Sequence, residues 1–308
     1  MTMPLTSARQ AYPHLPEEYA PRIHRAEVVA VHRIGPGMIR VVLGGADMDD
    51  YPTTGIGDEF VRLFFPEHPD YEAPSPFLTD RGWDYPPGAE PSPARIYTIR
   101  GHRPGEVDID FVEHEGGVAA AWAMQARPGQ QVALNPPKAI YNRPEHMRRQ
   151  LLIADEPALP AALRIAELTA ADVETHLLLE VRGEKYRLFA DAPDAVYTWL
   201  CGTGNGRAPS ELARMLRRRG VDEETFVWVA AETKATRHIR TYLRQELGRS
   251  NESYTWRGYW TDKAEEWRAR YDALGENVRA RIQALHASDR NGDEVLDEVQ
   301  KLYEAAGL

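Results

Sequence analysis

Two short stretches of this chain carry residue types that could do chemistry together. In Arg95-Ile96-Tyr97-Thr98-Ile99-Arg100, alternation predicts a strand with Arg95, Tyr97 and Ile99 on one face and Ile96, Thr98 and Arg100 on the other. One face thus presents an aromatic ring and a guanidinium. A flat conjugated ligand with an anionic tail could stack on the ring and pair with the cation. The same residues also fit an ordinary strand with a buried tyrosine and a solvated arginine. The second stretch begins in an alternating strand over 107–112, which holds Asp110 and Val112. His114 then precedes Gly116-Gly117, and an Ala-rich helix is predicted from Val118 through Ala121 and Trp122. Glycines entering a helix leave backbone N–H groups aimed at one point, where the positive end of the helix dipole favours phosphate.

On these residues the chain resembles the siderophore-interacting proteins, FAD-containing ferric-siderophore reductases among the ferredoxin-reductase-like flavoproteins. The resemblance covers roughly residues 25–262. Arg95-x-Tyr97-Thr98-x-Arg100 is similar to the family's flavin strand. Asp110-Phe111-Val112-x-His114, with Gly116, Gly117, Ala121 and Trp122, is similar to its pyrophosphate segment. The resemblance implies that Tyr97 and Thr98 flank the isoalloxazine and ribityl groups, and that Arg95, His114 and the helix start at Gly117 hold the diphosphate. It also implies basic residues at the flavin edge for an anionic ferric chelate. Arg62 and Lys138 match two of them. The third is expected directly after Gly258-Tyr259-Trp260, where this chain has Thr261 and only later Lys263.

For the nicotinamide cofactor, NADPH or NADH, the implied residues are Asp155, Glu156 and Glu232, with Tyr259 and Trp260. Ligands of doubly wound sheets sit at strand carboxyl ends, and Asp155-Glu156 and Glu232 each close a predicted strand. The family pattern has Gly-Asp-Glu-Thr and Gly-Glu there; this chain has Ala154-Asp155-Glu156-Pro157 and Ala231-Glu232. The alternative reading is of solvated carboxylates at helix N-termini. The departures leave open NADH, NADPH or a ferredoxin as electron donor.

The fold class expected is α/β with two domains. Predicted strands at 26–32, 38–44, 60–65, 95–100, 106–112 and 131–134, with one helix at 118–126, suggest a six-stranded antiparallel Greek-key barrel over 22–145, the FAD domain. Between them lies a Pro-, Asp- and Gly-rich loop over 67–93. Strands at 151–154, 176–181, 196–200, 226–231 and 254–260 alternate with helices at 157–168, 209–219 and 233–247. That pattern predicts a doubly wound parallel sheet over 150–262, the NAD(P)H domain. The boundary falls in 142–150. Residues 1–22 read as an arm. A helical extension, 263–308, is predicted as two helices, 264–286 and 292–305, hinged near Ser288-Asp289-Arg290-Asn291-Gly292.

The 308 residues suffice for two domains, and 43% of them are hydrophobic, enough for real cores. The single cysteine, Cys201, excludes an internal disulfide and reads as a small buried apolar residue. With no membrane-length apolar run and no signal-peptide pattern, a cytoplasmic protein is expected. A net charge of −10 argues against nucleic acid as a partner. Gly202-Thr203-Gly204-Asn205-Gly206 reads as a βα turn, since it follows a later strand and lacks an acidic partner on the next one. Asp289, Asn291, Asp293 and Asp297 take calcium-loop positions, but Glu294 and Gln300 replace the required Gly and Glu, so a charged interhelical turn is expected, with a weak metal site as the alternative reading.

The mechanism implied by the resemblance is hydride transfer from NAD(P)H to FAD and single-electron delivery to chelated ferric iron, which releases ferrous iron. No acid, base or nucleophile is needed. Two rivals stand beside it: a flavin reductase with another electron acceptor, and a non-catalytic flavin- or siderophore-binding module.

Overall fold

The computed structural model describes residues 12–16, 18–68, 70–79, 82–288 and 292–307. It holds one compact unit ending at Trp260 and a second, Thr261–Leu308.

The first unit begins with β1 (His24–Gly35), β2 (Met38–Gly44) and β3 (Phe60–Phe64). The loop expected over 67–93 carries a small hairpin, β4 (Phe77–Thr79) and β5 (Gly82–Asp84). Then follow β6 (Ala94–Arg103), β7 (Glu106–Val112), helix α1 (Val118–Met124) and β8 (Gln131–Leu134). Six strands close into an antiparallel barrel in the order β1-β2-β7-β6-β3-β8, as expected. Alternating inward residues fill it, among them Val28, Val41, Leu63, Ile99, Ile109 and Leu134. The arm differs from expectation: from Tyr12 onward it is tied down. The Tyr12 ring is buried, and its hydroxyl accepts hydrogen bonds from Asn135 Nδ2 (3.0 Å) and Trp83 Nε1 (3.2 Å).

Five parallel strands follow: β9 (Arg149–Asp155), β10 (Glu174–Val181), β11 (Val196–Cys201), β12 (Thr225–Glu232) and β13 (Tyr254–Trp260), in the order β11-β10-β9-β12-β13. Helix α2 (Leu159–Leu168) covers one face and helices α3 (Leu212–Arg219) and α4 (Thr233–Thr241) the other. The middles of the central strands are mostly apolar because both faces are covered. Pro157 sits in a 3-10 turn, Glu156–Ala158, ahead of α2. The helix expected over 233–247 turns at Tyr242–Glu246 into wider π geometry.

Barrel and sheet are joined by buried polar contacts. Arg164 of α2 donates to Glu59 Oε2 (2.8 Å) and to the Ile99 carbonyl (2.6 Å). Trp228 Nε1 donates to Asp58 Oδ2 (3.1 Å). Gly57 approaches α2 so closely that a Cβ there would lie 2.5 Å from the Ile165 Cα.

In the second unit the helix expected over 264–286 is two, α5 (Ala264–Asp272) and α6 (Glu276–His286), because Gly275 breaks it. Helix α7 (Gly292–Ala305) packs on α6 through Ile282, Leu285, Val295 and Val299. The calcium-loop positions Asp289 and Asn291 lie outside the described residues, as does the side chain of Asp293. Among the described residues no helix is long and apolar enough to cross a membrane.

Candidate active site

The strand order reverses beside β9. From β9 the chain steps outward to β10 and β11, then returns to the other side of β9 for β12 and β13. Open α/β sheets leave a ligand crevice at such a switch point, at the carboxyl ends of the strands. Asp155 ends β9 there and is buried. Its Oδ2 accepts from Glu232 N (2.8 Å) and Trp260 Nε1 (2.7 Å), while Oδ1 has no hydrogen-bond partner among the described residues. Burial pushes this carboxyl up to about 7; the two donors oppose that rise, and the carboxylates of Glu180 and Glu232 add to it.

A pH dependence follows. Between the ordinary value of 3.8 and about 7, the folded protein holds a proton at Asp155 that the unfolded chain releases. The associated stability is full below the lower value and lost as pH rises through the upper one, with a slope of at most about 1.4 kcal/mol per pH unit. Asp155→Asn is expected to flatten the fall in Tm across this window, as read by thermal unfolding at stepped pH.

The neighbouring carboxylates have their own tasks. Glu156 is buried and takes Arg182 through Nε (2.7 Å) and backbone N (2.5 Å). Glu232 caps α4, accepting from Lys234 N (2.7 Å) and Ala235 N (3.0 Å). Glu180, which sequence reasoning missed, is buried inside β10. Its Oε1 accepts from Thr203 Oγ1 (2.8 Å) and Glu211 N (2.7 Å), and its Oε2 has no partner among the described residues. The Gly-rich run joins β11 to α3 by folding over this carboxylate. Gly204 has φ +61°, and a Cβ there would meet Glu180 Oε2 at 2.0 Å, so only glycine fits. The methyls of Ala154 and Ala231 are buried in the two cores of the sheet.

On the barrel, Tyr97 packs against Phe111 (4.4 Å between ring centroids), and Phe111 against Trp122 of α1 (5.8 Å). Burial pushes the Tyr97 hydroxyl up to about 12, against the pull of Arg95. This aromatic row packs Tyr97 of β6, Phe111 of β7 and Trp122 of α1 together at the barrel core. Arg95 is exposed, its guanidinium donating to the Ala94 carbonyl (2.8 Å). His114 is exposed, with Nδ1 3.1 Å from the Glu115 carbonyl. Gly116 and Gly117 take φ of +80° and +84°, and Ala121 lies exposed on the helix. Val112 is half-buried and pairs with Met38 at the end of β7. The Trp122 indole N–H is buried without a partner among the described residues. Thr98 points to the other side of β6. It is buried, and no hydrogen bond reaches its Oγ1 among the described residues. The half-buried Tyr259 is near enough to feel it: burial raises the Tyr259 hydroxyl, while Thr98 and Arg257 act against that rise.

Two expected residues are not brought to this place. Arg100 forms a bidentate ion pair with Glu167 of α2 (2.7 and 2.5 Å). Asp110 is held by Arg40 across the β2–β7 pair (2.7 and 2.9 Å). Both are committed to the scaffold.

Of the expected basic residues, Arg62 and Lys138 stand together. Phe60 and Lys138 exchange both backbone hydrogen bonds (2.7 and 2.9 Å), which sets their side chains on one face. Arg62, two positions along β3, shares that face. Lys138 Nζ lies 4.6 Å from the centroid of the Tyr12 ring. Burial lowers the Lys138 pKa, and Arg62 lowers it further. Lys263 belongs to the second unit, where it precedes α5 with φ +49°. Arg257 of β13 was missed by sequence reasoning; its Cζ lies 6.0 Å from the Phe60 ring centroid.

A barrel with an Arg-x-Tyr-Thr strand and a double-glycine helix start, followed by a parallel sheet, has counterparts of known structure. One is the siderophore-interacting protein SipS from Aeromonas hydrophila, with a TM-score of 0.65 at 22% identity over 78% of this chain and 99% of that one. The siderophore-interacting FAD-binding domain profile matches residues 27–141, and the siderophore-interacting protein profile matches 147–263. The chain belongs to the siderophore-interacting protein family. It is 31% identical over 230 residues to the NADPH-dependent ferric-chelate reductase of Escherichia coli (strain K12), covering 73% of this chain and 88% of that protein. A siderophore utilization protein from T. fusca superposes with a TM-score of 0.69 at 31% identity, over 79% of this chain and 94% of that one.

Proposed function

We propose that this protein reduces ferric siderophores with electrons from NADPH or NADH, passed through bound FAD, and so releases ferrous iron. The observation that carries this reading is the pairing of two features on the barrel. Arg95 and Tyr97 share one face of β6 while left-handed glycines open α1 after β7, and Phe60, Arg62, Lys138 and the buried Thr98 stand in one ladder on the other face. The likeness to the ferric-chelate reductase of E. coli supports it.

The residues present fit FAD. Arg95 and His114 supply donors for a diphosphate at the start of α1, where backbone N–H groups and helix dipole favour anions. Tyr97 flanks the ribityl side, and the Thr98 hydroxyl offers a polar contact at the ring. Held by these residues, FAD would supply two-electron acceptance from a nicotinamide and one-electron release to chelated iron. The chain's own work is to orient and to exclude water: Tyr259 covers Thr98, while Arg62 and Lys138 attract the anionic chelate.

We assign 22–145 to FAD, 150–262 to NAD(P)H and 263–308 to a helical extension. Asp155, Glu156, Glu232, Tyr259 and Trp260 form the nicotinamide edge, on the strength of their place at the sheet's switch point. A ferredoxin is the alternative donor, since Ala154 and Ala231 stand where the family pattern has glycines. A reducing cytoplasm is the compartment proposed for the reaction, in keeping with the free Cys201.

The purified protein is expected to be yellow or to turn yellow with added FAD. Anaerobic NADPH or NADH should bleach it, and a ferric siderophore should restore the colour. A colourless protein that fails to bind FAD overturns the proposal.

A further inference from the structure

Most buried carboxylates of this protein are answered by a cation or by a donor at each oxygen. Glu59 is met by Arg164, Asp110 by Arg40 and Glu156 by Arg182. Asp58 has no cation, but Ile140 N (3.1 Å) and Trp228 Nε1 (3.1 Å) reach its two oxygens. Asp155 and Glu180 differ. Each is 1% exposed and is met only by neutral donors among the described residues, and each keeps one buried oxygen that no donor reaches.

The sheet sets these two side chains next to one another. Strands β9 and β10 run parallel with Asp155 in register with Glu180. Ile153 and Leu178, two residues ahead of each, lie in the core under α3 and α4, so alternation turns both carboxyls to that face. One oxygen of each is used by the scaffold: Asp155 Oδ2 by Glu232 N and Trp260 Nε1, Glu180 Oε1 by Thr203 Oγ1 and Glu211 N. Asp155 Oδ1 and Glu180 Oε2 remain. The other ionisable groups around them have their own tasks. Glu232 caps α4, Glu156 holds Arg182 and Glu211 pairs with Arg214. The Tyr259 hydroxyl of β13 is pushed up by burial and, further down the order, by Asp155, so it stays neutral.

Two carboxyls in register, away from water and with no cation between them, form an arrangement in which one keeps its proton. That proton is the donor the two remaining oxygens lack. Burial, and less strongly the charges of Glu180 and Glu232, push Asp155 up to about 7 against the pull of Trp260 and the Glu232 N–H.

We infer that Asp155 and Glu180 form a carboxyl–carboxylate pair holding one proton, with Asp155 Oδ1–H donating to Glu180 Oε2, and that this proton tunes the switch-point crevice for an anionic dinucleotide. The second half rests on the reductase reading above. With the proton the pair bears one negative charge, and without it two. Dinucleotide phosphates bring more negative charge to the same strand ends. The protonated protein therefore binds coenzyme more tightly, and bound coenzyme draws a proton in by the same linkage. The pair sets the local charge and takes no part in electron transfer.

The test begins with the proton itself. Infrared spectra of the flavin-loaded protein in light and heavy water read the C=O stretch of a protonated buried carboxyl. One such band is expected to shift in heavy water, to fade as pH rises through about 7, and to vanish in Asp155→Asn. Glu180→Gln keeps an acceptor but removes the charge, and should lower the midpoint of that band by about one pH unit. NAD+ and NADP+, which cannot reduce the flavin, are then titrated by calorimetry in two buffers of unlike ionisation heat. Affinity should fall about fivefold from below the midpoint to above it, with fractional proton uptake at the higher pH, and Asp155→Asn should flatten both. A wild type without a titrating, deuterium-sensitive carboxyl band overturns the shared proton. So does a midpoint unmoved by Glu180→Gln, or a stoichiometric metal ion that Glu180→Gln releases. Coenzyme affinity independent of pH overturns the linkage. If the band behaves as expected but neither coenzyme binds, the pair stands and the nicotinamide part of the reductase reading falls.

Discussion

A Gly117→Val variant is expected to purify without flavin colour. Gly117 caps α1 with φ +84°, a conformation that costs a β-branched residue about 1–3 kcal/mol. A Cβ at this position already lies 3.2 Å from His114 Cε1, so the added methyls crowd the imidazole and the space before the first helical turn. Strain, a displaced donor and a blocked seat act together. FAD affinity should fall at least about a hundredfold, which corresponds to about 3 kcal/mol. Gly117→Ala, with the strain but without the branches, should lose about tenfold. Flavin fluorescence quenching on the apoprotein gives both constants, and far-UV circular dichroism with a thermal scan checks the fold. Val118 begins the helix on an exposed side chain, so the scaffold should survive. Unchanged FAD affinity in the valine variant would remove the diphosphate from this helix.

The second large effect is on stability. Arg164→Ala is expected to cost about 3–5 kcal/mol, because it leaves Glu59 as a buried charge without its counter-ion. Glu59 is fully buried, and Thr53 Oγ1 (3.0 Å) and Thr54 N are its remaining donors. The Ile99 carbonyl loses its side-chain donor as well. Because this pair links α2 to the barrel, chemical denaturation should show a lower midpoint, and the sheet and barrel should begin to melt apart. Arg164→Met combined with Glu59→Gln should restore much of the loss, since it removes both charges. A loss below about 1 kcal/mol for Arg164→Ala would mean that water reaches Glu59.

The strands of barrel and sheet were legible because alternation and continuous apolar runs are local signals. What decides the candidate site was less so, because it depends on partners far along the chain. Arg100 and Asp110 matched a flavin motif by spacing, yet Glu167 and Arg40, 67 and 70 residues away, take them. Glu180 is hidden within an apolar strand, and only the fold brings the Gly204 loop over it. Arg257 did carry a readable signal: two residues before Tyr259 on a strand, it had to face the same way. Gly275 was in plain sight, but charged residues on both sides of it read as one continuous helix. The β4–β5 hairpin has strands of three residues, too short for any period to show.

Tyr12 has a practical bearing on how the protein is handled. Its ring underlies the Lys138 ammonium, and its hydroxyl is anchored by Asn135 on the barrel and Trp83 on the small hairpin. Shortening the amino-terminal arm past this tyrosine would remove the footing of Lys138, one of the cations proposed to meet the iron complex. Preparations trimmed by proteolysis there should stay yellow and still accept electrons, yet handle their iron cargo poorly.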